Sequence, residues 1–229
     1  MTSTALVGST GLVGSHILST LLTLPSISSV HSLSRRAPTS TDPKLHPLVG
    51  TETSQWPTQL SSITPLPSIL FSALGTTKGA AGSIAAQRAI DYDLNLSLAQ
   101  AAKASGVKVY VLISTGGANA HSFIAYPKMK GELENSVKEL GFEHTVILRP
   151  GLLVGERSES RFAEAVFRKL AGAMGSVSNG LKDFWAQDAD VVAKAAVSAG
   201  LQALEGDKPE VWEIGQAEII KLGRTEWKA

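Results

Sequence analysis

The sequence predicts an α/β fold: a parallel sheet with helices on both of its faces. Three observations carry this reading. Short apolar runs rich in β-branched residues alternate with amphipathic stretches along the whole chain. Several of the short runs end in clusters of Gly, Ser and Thr, which the topology gathers on one rim of one sheet. The first run leads at once into a turn with regularly spaced glycines and then into a helix.

Taken in order, Thr4–Val7 reads as a buried strand stopped by Gly8. The next stretch, 12–24, sets Leu12, Val13, Ile17, Leu18, Leu21 and Leu22 at helical spacing, and Pro25 ends it. Val30–Ser34 reads as a second strand and runs into Arg35 and Arg36. Residues 37–67 are rich in Pro, Ser and Thr and predict irregular connection around one or two short strands, such as Leu48–Val49. A strand is expected over 69–73, ending in Leu74-Gly75-Thr76-Thr77, and one helix over 86–104 with Gly106 as its stop. Residues 107–113 form the clearest strand pattern, closed by Ser114-Thr115-Gly116-Gly117. A helix over 126–140, a strand over 145–148 running into Arg149-Pro150-Gly151, helices over 161–170 and 189–204, and a candidate last strand over 211–214 complete the pattern. The whole is expected to form one Rossmann-type, doubly wound domain over 1–229. Residues 152–187 and 205–229 are expected to supply a small C-terminal substrate or capping lobe.

Composition excludes several function classes. The 229 residues carry 21 basic and 20 acidic side chains, a net charge of +1, which argues against an electrostatic nucleic-acid binder. There is no cysteine, hence no disulfide, thiol nucleophile or thiolate metal site. The histidines, His16, His31, His46, His121 and His144, are scattered, so no metal site is expected. No apolar run approaches the roughly 20 residues that span a bilayer. No basic residue precedes Arg35, so the N-terminus resembles neither a secretory signal nor an Arg-rich presequence. Cleaving a presequence would also remove the first strand and the glycine turn, so a retained N-terminus is expected. No Gly-x-Ser-x-Gly elbow and no Gly-Lys-Ser/Thr loop occurs.

The turn itself is Gly8-Ser9-Thr10-Gly11-Leu12-Val13-Gly14. The first glycine permits a tight turn, the second lets backbone approach a pyrophosphate, and the third allows close helix–strand packing. The following helix N-terminus offers unpaired N–H groups to phosphate. This spacing differs from the Gly-x-Gly-x-x-Gly form and favours the short-chain dehydrogenase type. An NAD site places an acid at the end of the second strand for the ribose hydroxyls. Here Ser34-Arg35-Arg36 stands instead, and guanidinium suits a 2′-phosphate. The expected cofactor is therefore NADP(H).

Tyr126 and Lys130 lie one turn apart on the predicted helix and share a face. A neighbouring ammonium favours phenolate, bringing the tyrosine from its usual pKa of about 10 toward a range where it can transfer a proton. A hydroxyl from the preceding strand end, Ser114 or Thr115 with some preference for Thr115, would hold a substrate carbonyl. Glu132 and Glu134 are expected on a solvated helix face, and Phe184 and Trp185 as packing for the C-terminal lobe.

The segments VGSTGLVG, FSALGTTKGAAGS, LISTGGAN with YPKMKGELE, and ILRPGLLVGERSESR together resemble atypical short-chain dehydrogenases/reductases. The likeness is to the Tat-interacting oxidoreductase group and its fungal mitochondria-associated relatives, and it covers nearly the whole chain. It implies a Rossmann fold, NADPH and a Ser/Thr–Tyr–Lys site. By position, Ser9, Thr10, Leu12 and Val13 would line the phosphate turn, and Arg35 and Arg36 would meet the 2′-phosphate. Leu74, Gly75 and Thr76 would lie along the adenosine side. Tyr126 and Lys130 would be catalytic, and Leu153 and Arg161 would close over nicotinamide or phosphate. The place of the usual tetrad asparagine holds Asp91, with Asn95 one turn on. Two functions follow: reduction of a carbonyl or conjugated small molecule, or an NADP(H)-binding regulatory or scaffold role with little turnover. The resemblance also implies peripheral association with the mitochondrial outer surface, through a protein partner or the membrane.

Overall fold

In a computed structural model of the chain, the structure describes residues 1–154 and 186–228. The main element is a seven-stranded, all-parallel sheet. Its strands are β1 (Thr2–Val7), β2 (Ile27–Ser34), β3 (Leu45–Val49), β4 (Ile69–Ser72), β5 (Val109–Ile113), β6 (His144–Leu148) and β9 (Val211–Ile214), in the order β3-β2-β1-β4-β5-β6-β9. β4 and β5 are buried at every position, as strands covered by helices on both faces must be. The order reverses beside β1, so the cleft past the carboxyl ends of β1 and β4 is the switch point where such sheets receive ligands.

One face is covered by α1 (Leu12–Thr23) and α7 (Ala189–Leu204), whose Ile17, Leu21, Val192 and Ala196 pack with Leu6, Phe71 and Val111. Gly200 makes the fit possible, because a methyl group there would sit 3.0 Å from Phe71 and Val111. The other face is covered by α2 (Trp56–Ser61), α5 (Asn95–Ser105) and α6 (Ala125–Glu139). Their Trp56, Leu60, Leu98, Leu133 and Val137 meet Val7, Leu70, Tyr110 and Ile147.

Several boundaries differ from those the sequence suggests. β3 is longer than Leu48–Val49 and contains Pro47. Lys44 O and Gly50 N both bond to β2, so alternate residues turn toward that neighbour and Pro47 turns away from it. That is where a residue without an N–H disturbs no ladder. The single helix expected over 86–104 is three pieces: α4 (Ile84–Arg88), a π-helical turn over Ala89–Leu94, and α5. A four-residue α3 (Lys78–Ala81) precedes them.

The segment 205–229 does not stand apart as a lobe. β9 is the seventh strand of the main sheet, and α8 (Gln216–Ile220) and the turn after it pack Ile219 and Leu222 into the main core. A separate two-stranded sheet joins β7 (Leu152–Val154) to β8 (Ala186–Asp188). The expected helix over 161–170, with Arg161, and the pair Phe184 and Trp185 lie outside the described residues. Among the described residues, no helix is long and apolar enough to cross a membrane.

Candidate functional site

Each glycine of the first turn has a geometric cause. Gly8 has φ +84°, and a Cβ there would lie 2.6 Å from the backbone of Ala73. Gly11 N–H donates to Gly8 O at 2.9 Å, closing the turn. A Cβ on Gly14 would lie 2.0 Å from Gly8 O, so helix and turn are in direct backbone contact. No side chain caps α1, and no acid occupies its first turn, which leaves its amino end electropositive. Ser9 is buried and accepts a 2.6 Å hydrogen bond from Ser32 Oγ on β2, while Thr10 and Gly11 face solvent. Leu12 is half-buried, and Val13 is part of the core.

β2 lies beside β1 in parallel, so its end shares the same rim. Ser34 Oγ donates to Arg36 O at 2.7 Å, which shapes the chain after the strand. Arg35 and Arg36 are both exposed there.

At the end of β4, Leu74, Gly75 and Thr76 are held from behind by the π-helical turn. Asp91, 1% exposed, accepts from Thr76 N–H at 2.6 Å and from Gln87 Nε2 at 3.1 Å. Gln87 Nε2 also donates to Thr76 O at 3.1 Å. Asn95 is fully buried and donates to Leu74 O at 3.3 Å and to Ile90 O and Asp91 O at 3.2 Å, while accepting from Ser72 Oγ. One amide thus supports the irregular helix turn and the strand end together. Both residues were visible in the sequence; Gln87 and Ser72 were not.

α6 brings its side chains to the end of β5. Lys130 is buried, and its Nζ donates to Ile113 O at 2.9 Å. Burial pulls its ammonium below the usual lysine pKa, and the carboxylates of Asp91 and Glu134 oppose that pull. Tyr126 stands one turn earlier and is 41% exposed, at the mouth. Ser114 is buried and donates its hydroxyl to Glu134, whereas Thr115, the next residue, is half-buried. The loop after β5 is pinned to α6: Asn119 N–H donates to Pro127 O at 3.0 Å, and a Cβ on Gly131 would lie 2.2 Å from Ala120 N.

Glu134 does not sit on a solvated face. It is 1% exposed and accepts from Arg149 through Nε at 3.2 Å and Nη2 at 2.6 Å. Arg149 Nη1 in turn reaches Glu213 on β9 at 2.6 Å, and Lys138 bonds Glu213. Glu132 is also partnered, by Arg88 at 2.6 Å. The missed signal was the spacing of four between Tyr126, Lys130 and Glu134, which puts the glutamate on the inward face with the lysine. A polar cavity of about 350 Å³ lies beside this network, lined by Asn119, His121, Gly131, Glu134, Asn135 and Arg149. Leu153, on β7, is half-buried against the main core.

The rim therefore brings together the glycine turn, Arg35 and Arg36, Leu74–Thr76, Ser114, Thr115, Tyr126 and Lys130. Among the described residues no group of His, Cys, Asp and Glu is arranged to hold a metal. Fold and topology make this a Rossmann-like protein, with neighbours among short-chain dehydrogenases/reductases and epimerases. A short chain dehydrogenases/reductase from Saccharomyces cerevisiae, YIR035C, superposes with a TM-score of 0.67 at 15% identity, covering 94% of this chain and 96% of that one. The Bordetella bronchiseptica enzyme WbmH in complex with NAD+ gives 0.66 at 16% identity, covering 93% and 75%. The chain belongs to the HIM1 family, whose model matches residues 46–174. Among its relatives is "Protein fmp52-1, mitochondrial" of Aspergillus terreus, 54% identical over 231 residues, covering 98% of this chain and all of that one.

Proposed function

We propose that this protein is an NADP(H)-dependent oxidoreductase of the short-chain type that reduces a carbonyl or conjugated small molecule, with Tyr126 as the proton donor. The observation that carries the reading is Lys130: a buried ammonium, tied to the last residue of β5 at 2.9 Å, one helical turn from a tyrosine at the cleft mouth. Such a group lowers the free energy of the phenolate formed as Tyr126 gives up its proton.

The turn fits a dinucleotide, because Gly8 and Gly14 leave no room for a Cβ and the amino end of α1 carries no competing side chain. Ser9, Thr10, Gly11, Leu12 and Val13 would hold the pyrophosphate through backbone, and Arg35 and Arg36 the 2′-phosphate. Leu74, Gly75 and Thr76 would line the adenosine side, and Lys130 the nicotinamide ribose. When bound, the reduced cofactor supplies hydride. Thr115 would orient the substrate oxygen toward the Tyr126 hydroxyl, since the Ser114 proton is engaged by Glu134. Leu153 and Arg161 would contribute to closing the cleft.

The test is NADPH oxidation against a panel of aldehydes, ketones and quinones, comparing wild type with Tyr126→Phe. Loss of turnover with cofactor affinity kept is expected. Tight NADPH binding with no turnover on any substrate supports a regulatory, cofactor-binding role instead. The name of the Aspergillus terreus relative supports a mitochondrial setting; peripheral attachment at the outer surface is the further part of this proposal. Extraction of the organelle protein by alkaline carbonate is the expected result.

A further inference from the structure

We propose that the turn bearing Phe123 and Ile124 is a lipid-contacting tip that seats the carboxyl-end rim of the sheet on an anionic membrane surface. This rests on the peripheral attachment proposed above and names the surface that makes it.

Phe123 is fully exposed and Ile124 is 68% exposed, on the loop between β5 and α6. Neighbouring apolar side chains of this size, both left in water, mark a contact site. The turn that carries them is hydrogen-bonded almost residue by residue. Asn119 N–H donates to Pro127 O at 3.0 Å, and His121 N–H to Asn119 Oδ1 at 2.9 Å. Ser122 N–H donates to Asn119 O at 2.9 Å, and Ile124 N–H to Ser122 Oγ at 3.1 Å. Lys128 N–H then closes the first turn of α6 on Ile124 O at 3.0 Å. The pair is thus presented in one shape, and contact need not first order the loop. A third apolar group stands at the same end. α4 and α6 both lead away from the rim, and Arg88 Nη1 on α4 meets Glu132 on α6 at 2.6 Å. One turn back from Arg88 is Ile84, 45% exposed, and two turns back from Glu132 is Ile124.

The charges around the tip select the kind of partner. Segments 73–90 and 114–131, which follow β4 and β5, contain Lys78, Arg88, Lys128 and Lys130 and no Asp or Glu. Lys130 is buried and Arg88 is engaged by Glu132, whereas Lys78 and Lys128 are exposed. Lys128 reaches Glu132 only at 4.0 Å. The turns at the opposite ends of the strands differ, with Asp42, Glu143, Glu205, Asp207 and Glu210 set among their lysines. An apolar tip ringed by cations and free of acids is the pattern of an interfacial anchor on anionic lipid. Shape agrees with charge. A bilayer accepts protruding apolar side chains anywhere on its surface, whereas a protein partner has to offer a pocket complementary to them. Tyr126 stands two residues beyond Ile124, so a seated tip turns the cleft mouth toward the membrane.

The test is flotation of the full-length protein with vesicles of phosphatidylcholine alone, or of equal parts phosphatidylcholine and phosphatidylglycerol. Binding to the anionic vesicles is expected, and Phe123→Ser/Ile124→Ser is expected to weaken it at least about tenfold. Lys78→Gln/Lys128→Gln is expected to weaken it by about tenfold as well. The chain has no cysteine, so one polarity-sensitive dye can be placed through Ala125→Cys, beside the tip, or Asp207→Cys, on the opposite turn. With anionic vesicles a blue shift is expected from the first and none from the second. Vesicle binding unchanged in Phe123→Ser/Ile124→Ser overturns the proposal, and so does a blue shift confined to the Asp207→Cys dye. The dye pair alone decides the matter if the double serine variant does not fold. Equal binding to the two vesicle types overturns the anionic-lipid assignment. Self-association that Phe123→Ser/Ile124→Ser abolishes, with no vesicle binding, overturns the proposal in favour of a second copy. Carbonate extraction from the organelle without vesicle binding would overturn this inference and leave peripheral attachment through a protein partner standing. Resistance to carbonate would remove the peripheral reading itself.

Discussion

Replacing Gly14 with alanine adds one methyl group at the point where α1 meets the turn. That carbon would lie 2.0 Å from Gly8 O, 2.7 Å from Gly8 C and 3.2 Å from Ser9 Cα. Ordinary carbon–oxygen contact is reached more than an ångström further out. No rotamer change relieves the clash, because the neighbours are backbone. Nor can the turn retreat, since Gly8 is itself against Ala73. Overpacking of this kind costs about 3 kcal/mol, and alanine returns about 1 kcal/mol as the better helix former. The net of about 2 kcal/mol corresponds to a Tm lower by roughly 4–8 °C for a chain of this size. Displacing the first turn of α1 also moves its free N–H groups, so NADPH affinity is expected to fall at least tenfold. Differential scanning fluorimetry and NADPH fluorescence titration measure the two effects. Gly117→Ala is the control, with nothing within 4 Å of its Cβ. If Gly14→Ala melts with the wild type and binds NADPH equally well, the argument from close approach is wrong.

Three further outcomes are expected. Neutralising Arg35 and Arg36 together, as glutamines, should weaken NADPH relative to NADH by at least about ten- to a hundredfold, the loss of a single charge-assisted bond of about 1.5–3 kcal/mol; calorimetric titrations showing equal losses would dismiss the 2′-phosphate assignment. Ser114→Ala removes a donor from the buried Glu134 and should destabilise by about 1–3 kcal/mol in urea unfolding, whereas Thr115→Val should leave stability nearly unchanged and abolish turnover; the opposite pattern would exchange their roles. His31 stacks on His46 at 5.0 Å with its Nε2 buried and unpartnered, and burial first, then His46, holds its pKa below 6.5. As pH falls below 6.5 the unfolded chain takes up that proton before the folded one, so stability should drop. His31→Phe should flatten the change in urea midpoint between pH 7 and 5, and an unaltered slope would count against the stack as its source.

The parallel architecture was legible because its strands are short, apolar and punctuated at their carboxyl ends. The rim residues were legible for the same reason. What escaped has physical causes. β5 is buried on both faces, so alternation could not say whether Ser114 or Thr115 points into the cleft; only the hydrogen bond from Ser114 to Glu134 separates them. The π-helical turn is a slip in backbone bonding that leaves the apolar spacing of 86–104 nearly intact. Its sole trace was an amide side chain in mid-helix, Asn95. Glu134 read as surface because its partner, Arg149, is fixed only by the pairing of β5 with β6. The sheet of β7 and β8 joins segments more than thirty residues apart, and neither alone carries a strand signal.

Pro47 has a bearing on how this molecule meets others. The outer border of β3 is the place where another chain could add a strand, and its central residue there offers no amide hydrogen. A visiting strand would find its ladder broken at the middle rung. Copies of this chain are thus discouraged from stacking through that side of the sheet. Among the described residues, the far border at β9 and the small β7–β8 sheet carry no such interruption.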